Sequence, residues 1–124
     1  MTVELMKSRK MNIVPLAEVT GLSRDTIKNM RNDPSRLFPI QEVVAVAIAL
    51  HLDPDVSREY IRRAPTNFLD TDEMKLYRYA LIHWYKFSVA KVNRMLVEMQ
   101  ARPLTNLVEG YDENGVQMDE SMAM

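Results

Sequence analysis

Residues 14–32 read VPLAEVTGLSRDTIKNMRN, and this stretch decides the fold. Ala17 and Gly21 stand four apart, followed by Leu22, Ile27 and Met30. Two helices that cross steeply through a turn of about three or four residues need a small side chain where they approach most closely, and Ala17 supplies it. The turn needs a residue at ease with positive φ, which is Gly21. Apolar residues from both helices must then meet underneath, here Leu16, Leu22, Ile27 and Met30. The spacing predicts one helix over 14–20, with Pro15 in its first turn where a missing N–H is tolerated. Ser23 caps a second helix over 24–32, which Asp33-Pro34 closes.

Working outward, the pattern stays helical. A short helix over 3–10 precedes the stretch. Pro39 opens a helix to about residue 51 whose apolar residues run almost all the way round, so it must be buried on several sides as a central post. Asp53-Pro54 starts a fifth helix ending near Arg63. Asp70 and Glu73, three apart, predict a capping box ahead of a sixth helix reaching about Lys86. Ser88 caps a seventh over 89–100, with Phe87 and Val92 spaced as a hydrophobic staple, and Ala101-Arg102-Pro103 stops it. The organisation expected is all-α: a repressor-like five-helix domain over 1–64, a two-helix C-terminal extension over 65–108 packed beside the central helix, and a disordered acidic tail over 109–124.

Composition narrows the chemistry. The 124 residues contain no cysteine, which excludes a disulfide scaffold, a thiolate zinc site and a cysteine nucleophile. The longest apolar run, residues 43–50, is far short of a bilayer crossing, so a cytoplasmic protein without membrane contact is expected. The net charge of −1 conceals an asymmetry: five acidic and no basic residues lie in 109–124, leaving residues 1–108 at +4. Residues 7–36 carry seven basic side chains against three acidic ones, the local excess that a polyanion partner requires. The tail reads as solubilising disorder. A competing reading folds it back over the basic surface.

A second helix held proud of the body has its outer face free to enter a DNA major groove. Ala17, Gly21, Ser23, Thr26 and Ile27 together resemble the helix-turn-helix of the Cro and phage-repressor (Xre-like) family, over roughly residues 3–63. Val14-Pro15 replaces that family's usual Gln at the start of its second helix. Asp53-Pro54, residues 77–85 and Pro103-Leu104 resemble, more loosely, a helical tail found after such motifs in proteins of gut bacteria. The family resemblance implies double-stranded DNA as partner, a homodimer reading two half-sites, and a bacterial or phage transcriptional regulator. The seam is expected on the sixth and seventh helices.

On the recognition helix Arg24, Asp25, Lys28, Asn29 and Arg31 are expected to be exposed. Arg24 and Lys28 suit guanine O6/N7, Asn29 suits adenine N6/N7, and Asp25 can accept from cytosine N4. Ser23 and Thr26 suit phosphate oxygens, and Arg36 beyond the helix can grip the backbone. His51 and His83 lack a second histidine at helical spacing, so no metal is expected. The aromatic cluster Tyr77, Tyr79, Trp84, Tyr85 reads as core or dimer seam. Asp70, Asp72 and Glu73 are explained by capping and the helix dipole, which leaves no catalytic residue and no cofactor. The rival class is a helical interaction adaptor or antitoxin-like partner protein that does not bind DNA.

Overall fold

The computed structural model describes residues 2–33, 36–63 and 71–108, and the backbone of 110–111 and 117–118. Seven helices follow one another among the described residues: α1 (Thr2–Ser8), α2 (Ile13–Thr20), α3 (Arg24–Asn32), α4 (Ile40–Ala49), α5 (Pro54–Arg63), α6 (Asp72–His83) and α7 (Val89–Glu98). A minimal antiparallel ladder, β1 (Gly110–Tyr111) with β2 (Gln117–Met118), pairs Gly110 with Met118 and Tyr111 with Gln117. The rest of the expected disordered tail, 109–124, lies outside the described residues, as does Pro34 of the expected Asp33-Pro34 stop.

α4 is the post that its composition requires. Ile40 and every residue from Val43 to Leu50 are buried. A helix with no polar face can only be stable when other elements cover it on several sides. α2, α5, α6 and α7 all pack against it. One apolar core therefore runs from Leu5 and Met6 of α1 through α4 to Tyr77, Leu81, Val92, Leu96 and Leu104.

Caps set the helix starts. Ser23 Oγ accepts from Thr26 N at 3.0 Å, Asp53 Oδ1 from Val56 N at 3.0 Å, and Ser88 Oγ from Lys91 N at 3.1 Å. For α6 the cap differs from the expected Asp70–Glu73 box. Thr71 Oγ1 accepts from Met74 N at 3.1 Å, Asp70 lies outside the described residues, and Glu73 turns away to Arg102.

Three helices stop earlier than their apolar periodicity suggests. The pattern runs them to Lys10, His51 and Gln100, yet these three residues stand past the helix ends at φ 55°, 52° and 62°. Behind each, a six-to-one bond closes the end: Met11 N to Met6 O, Leu52 N to Ala47 O, and Ala101 N to Leu96 O, at 2.9, 3.1 and 2.9 Å. These are Schellman closures with a Lys, His or Gln in the left-handed seat that glycine usually fills. The apolar residue that follows supplies the reason. Leu52 is buried, and Met11 and Ala101 pack against the core. Drawing each one inward offsets a left-handed strain of about 1–2 kcal/mol.

Candidate nucleic-acid interface

The interface is built on α2, the turn and α3. α2 ends at Gly21, whose φ is 80° and whose N–H donates to Ala17 O at 2.9 Å. Ala17 is buried where α2 packs against α3. From α3 only Ile27 and Met30 reach the core. With about 100° of rotation per residue, Asp25 and Asn32 then point furthest from it, Lys28 and Asn29 lie to either side of them, and Arg24 is on one flank. Arg24, Asp25, Lys28 and Asn32 are exposed.

The sequence expectation of five exposed reading residues holds for Arg24, Asp25 and Lys28. Asn29 and Arg31 are half-buried instead. Arg31 sits on the flank nearer the core, where it faces α1, and its Nε donates to Asn32 Oδ1 at 3.2 Å. Ser23 is exposed and Thr26 is half-buried, their hydroxyls 2.9 Å apart and hydrogen-bonded to each other. Arg36 is exposed, 5.7 Å above the Phe38 ring. It also lies near Glu42, whose carboxyl is pushed up by partial burial and pulled back by the Arg36 charge.

A cavity of about 400 Å³ opens between α1 and α3, lined by Lys7, Lys10, Asn12 and Arg31 together with Val3, Met6 and Met11. Asn12 is the N-cap residue of α2, and its side chain makes no capping bond. Three cations thus converge beside the first turn of α2, where the helix dipole also favours an anion. Lys7 and Lys10, together with Asn32 on the outer face, are the residues missed by reading the recognition helix alone. The three-residue spacing of Lys7 and Lys10 was the available signal, since a helix over 3–10 would place both on one side; Lys10 instead stands just past the end of α1 and still lines the cavity. Arg9 is not part of this cluster, because its Nε donates to Leu50 O at 3.2 Å.

Histidines and aromatics take structural places. His51 Nδ1 is 2.9 Å from Tyr85 O. Tyr77 and Trp84 are buried, while Tyr79 stacks on His83 at 4.2 Å and meets Trp84 edge-on at 5.4 Å. No helix among the described residues is long and apolar enough to cross a membrane.

The family model of the Cro/C1-type HTH DNA-binding domain matches residues 3–55. No curated protein and no solved structure matches the chain. The matched span begins in α1, contains the α2–turn–α3 unit with its outward cations, and ends in the first turn of α5. Residues 3–55 thus match a Cro/C1-type helix-turn-helix DNA-binding domain, which supports a DNA-binding regulator in general.

Proposed function

We propose that the chain is a non-enzymatic, sequence-specific regulator of bacterial or phage transcription that lays α3 in the major groove of double-stranded DNA. The observation that carries this reading is the outer face of α3. Arg24, Asp25 and Lys28 are exposed on a helix that touches the core only through Ile27 and Met30. Arg24 and Lys28 pair with guanine edges, Asp25 accepts from cytosine N4, and Asn29 reads adenine from the rim. Ser23, Thr26, Arg31 and Arg36 hold phosphates, with Lys7 and Lys10 joining Arg31 around the α1–α3 cavity. Residues 1–64 do the reading, and 65–108 buttress them. A homodimer in the cytoplasm spans two half-sites, its seam on α6 and α7, where Tyr79, Ile82, Val97 and Met99 are large, apolar and exposed.

A fluorescence-anisotropy titration of the intact chain against mixed genomic fragments, repeated over salt, tests this. Log affinity should fall linearly with log salt as condensed counterions are released, and a selected operator should bind far above the bulk. Absence of binding to any fragment at low salt would instead favour the interaction adaptor.

A further inference from the structure

We propose that the segment 104–107, which follows α7, is a strap that sets the pose of the recognition helix, and that Thr105 and Asn93 are positioning residues for DNA reading. The inference rests on the DNA-reading function above.

Asn93 is 4% exposed, yet its amide is fully used. Its Oδ1 accepts from Leu104 N at 2.8 Å and Thr105 N at 3.3 Å. Its Nδ2 donates to Thr105 Oγ1 at 3.0 Å and Leu107 O at 2.8 Å. Two backbone N–H groups face one end and a carbonyl faces the other, so only one orientation of the amide is possible. Thr105 Oγ1 also accepts from Leu107 N at 3.3 Å. With both lone pairs taken, its proton goes to Thr20 O at 2.6 Å.

Thr20 is the end of α2 and is wholly buried. Its hydroxyl donates to Leu16 O at 2.7 Å and accepts from Leu22 N at 3.1 Å. Hydrogen bonds therefore run from α7 through the strap to the Thr20 carbonyl, and Thr20 itself carries the link to its hydroxyl, which holds the N–H of Leu22 ahead of α3. The strap also lies hard against the turn. A Cβ added at Gly21 would sit 2.7 Å from Leu107 Cβ and 2.9 Å from Thr105 Oγ1. Gly21 is thus needed twice, for its left-handed backbone and for the strap's approach.

The strap's other end is fixed to α6. Arg102 N donates to Glu73 Oε2 at 3.0 Å, and Tyr77 Oη donates to Arg102 O at 2.9 Å. α3 has only two core side chains of its own, so the turn that launches it decides where its outer face points. A small tilt ruins base-edge bonds, which need tight geometry, and spares phosphate contacts, which reach from flexible side chains.

The test is Thr105→Val in the full chain, with Thr105→Ala as a second variant that leaves room for water, and Thr105→Ser as the rescue. The expected result is about tenfold weaker operator binding, restored by Ser, with affinity for random DNA and its salt dependence unchanged throughout. Independently of DNA, amide exchange at Leu22 should quicken about fivefold or more, while the interior of α7 is unaffected. A lowered melting temperature with an unchanged ratio of specific to random binding would overturn the proposal, as would unchanged exchange at Leu22. A wild type that binds no DNA sinks the reading itself, and the exchange arm still reports separately whether the strap holds the turn.

Discussion

α3 and α4 are neighbours in sequence and nearly equal in length, but they share almost nothing else. α4 buries eight of its ten residues, and α3 buries two of nine. α4 is held by every helix around it, so its sequence answers to packing. α3 is held along one edge by α1 and α2, and from its launching end by the turn. Its remaining positions are free to carry charge. Division of labour follows: substitutions in α4 should act on stability, and substitutions on the outer face of α3 should act on DNA.

The sharpest way to break that contrast is the double substitution Arg24→Ala with Lys28→Ala. Both side chains are exposed and contribute nothing to the core. Specific binding should be lost by roughly 2–6 kcal/mol, about thirtyfold or more, with helicity and thermal unfolding unchanged. Anisotropy and circular dichroism on the same sample decide it, and retained operator affinity in a folded variant would remove the assignment of that face. The mirror experiment is Ile48→Ala. Ile48 is fully buried, and truncation should cost about 2–5 kcal/mol of stability through lost transfer energy and a residual cavity. Below its lowered melting temperature this variant should bind operator as the wild type does. A selective loss of DNA binding there would mean that the two helices are not separable.

The same contrast explains what could be read from the chain. α4 as a buried post, the α2–turn–α3 unit and the caps at Ser23, Asp53 and Ser88 are local or periodic features, and each is visible in the letters. The ends of α1, α4 and α7 were not, because Lys10, His51 and Gln100 take a conformation their side chains disfavour, driven by what the next residue buries. Gly21 was legible as a turn but not as the seat of a strap arriving from more than eighty residues away. The half-burial of Arg31, and its partnership with Lys7 and Lys10, depend on how α1 lies against α3. Glu73 looked like half of a local capping box, whereas its partner is remote.

That remote pair gives a smaller, pH-dependent test of whether the extension can be loosened without touching either helix. Glu73 accepts from Arg102 Nη2 at 2.9 Å, from its Nε at 3.1 Å and from its backbone N–H. These bonds hold the Glu73 carboxyl below its usual value and raise the Arg102 guanidinium. Because the folded value of Glu73 is lowered, its contribution is complete above the unfolded value, near about pH 4.3, and fades as pH falls through the folded one. Arg102 is largely exposed, so Glu73→Gln should destabilise by only about 0.5–1 kcal/mol at neutral pH. Urea unfolding should show that difference shrinking on acidification, and a gap that is independent of pH would mean that packing rather than charge holds the strap at this end.

The smallest expected effect comes from the region least like either helix. Deleting 109–124 removes five carboxylates and leaves a chain of net charge +4. The strap delivers the tail beside Gly21, close to the start of α3, since Leu107 lies against that glycine. As solvated charge the tail acts only through a field that fades over about 8 Å at physiological salt. Its removal should then raise operator affinity by less than about threefold there, with a modestly larger gain at low salt. A gain of tenfold or more at low salt that disappears at high salt would show the tail competing with phosphate for Arg24 and Lys28. In that case the outer face of α3, open in the fold, would be contested in solution, and the separation of α3 from the rest of the chain would have to be redrawn to include residues 109–124.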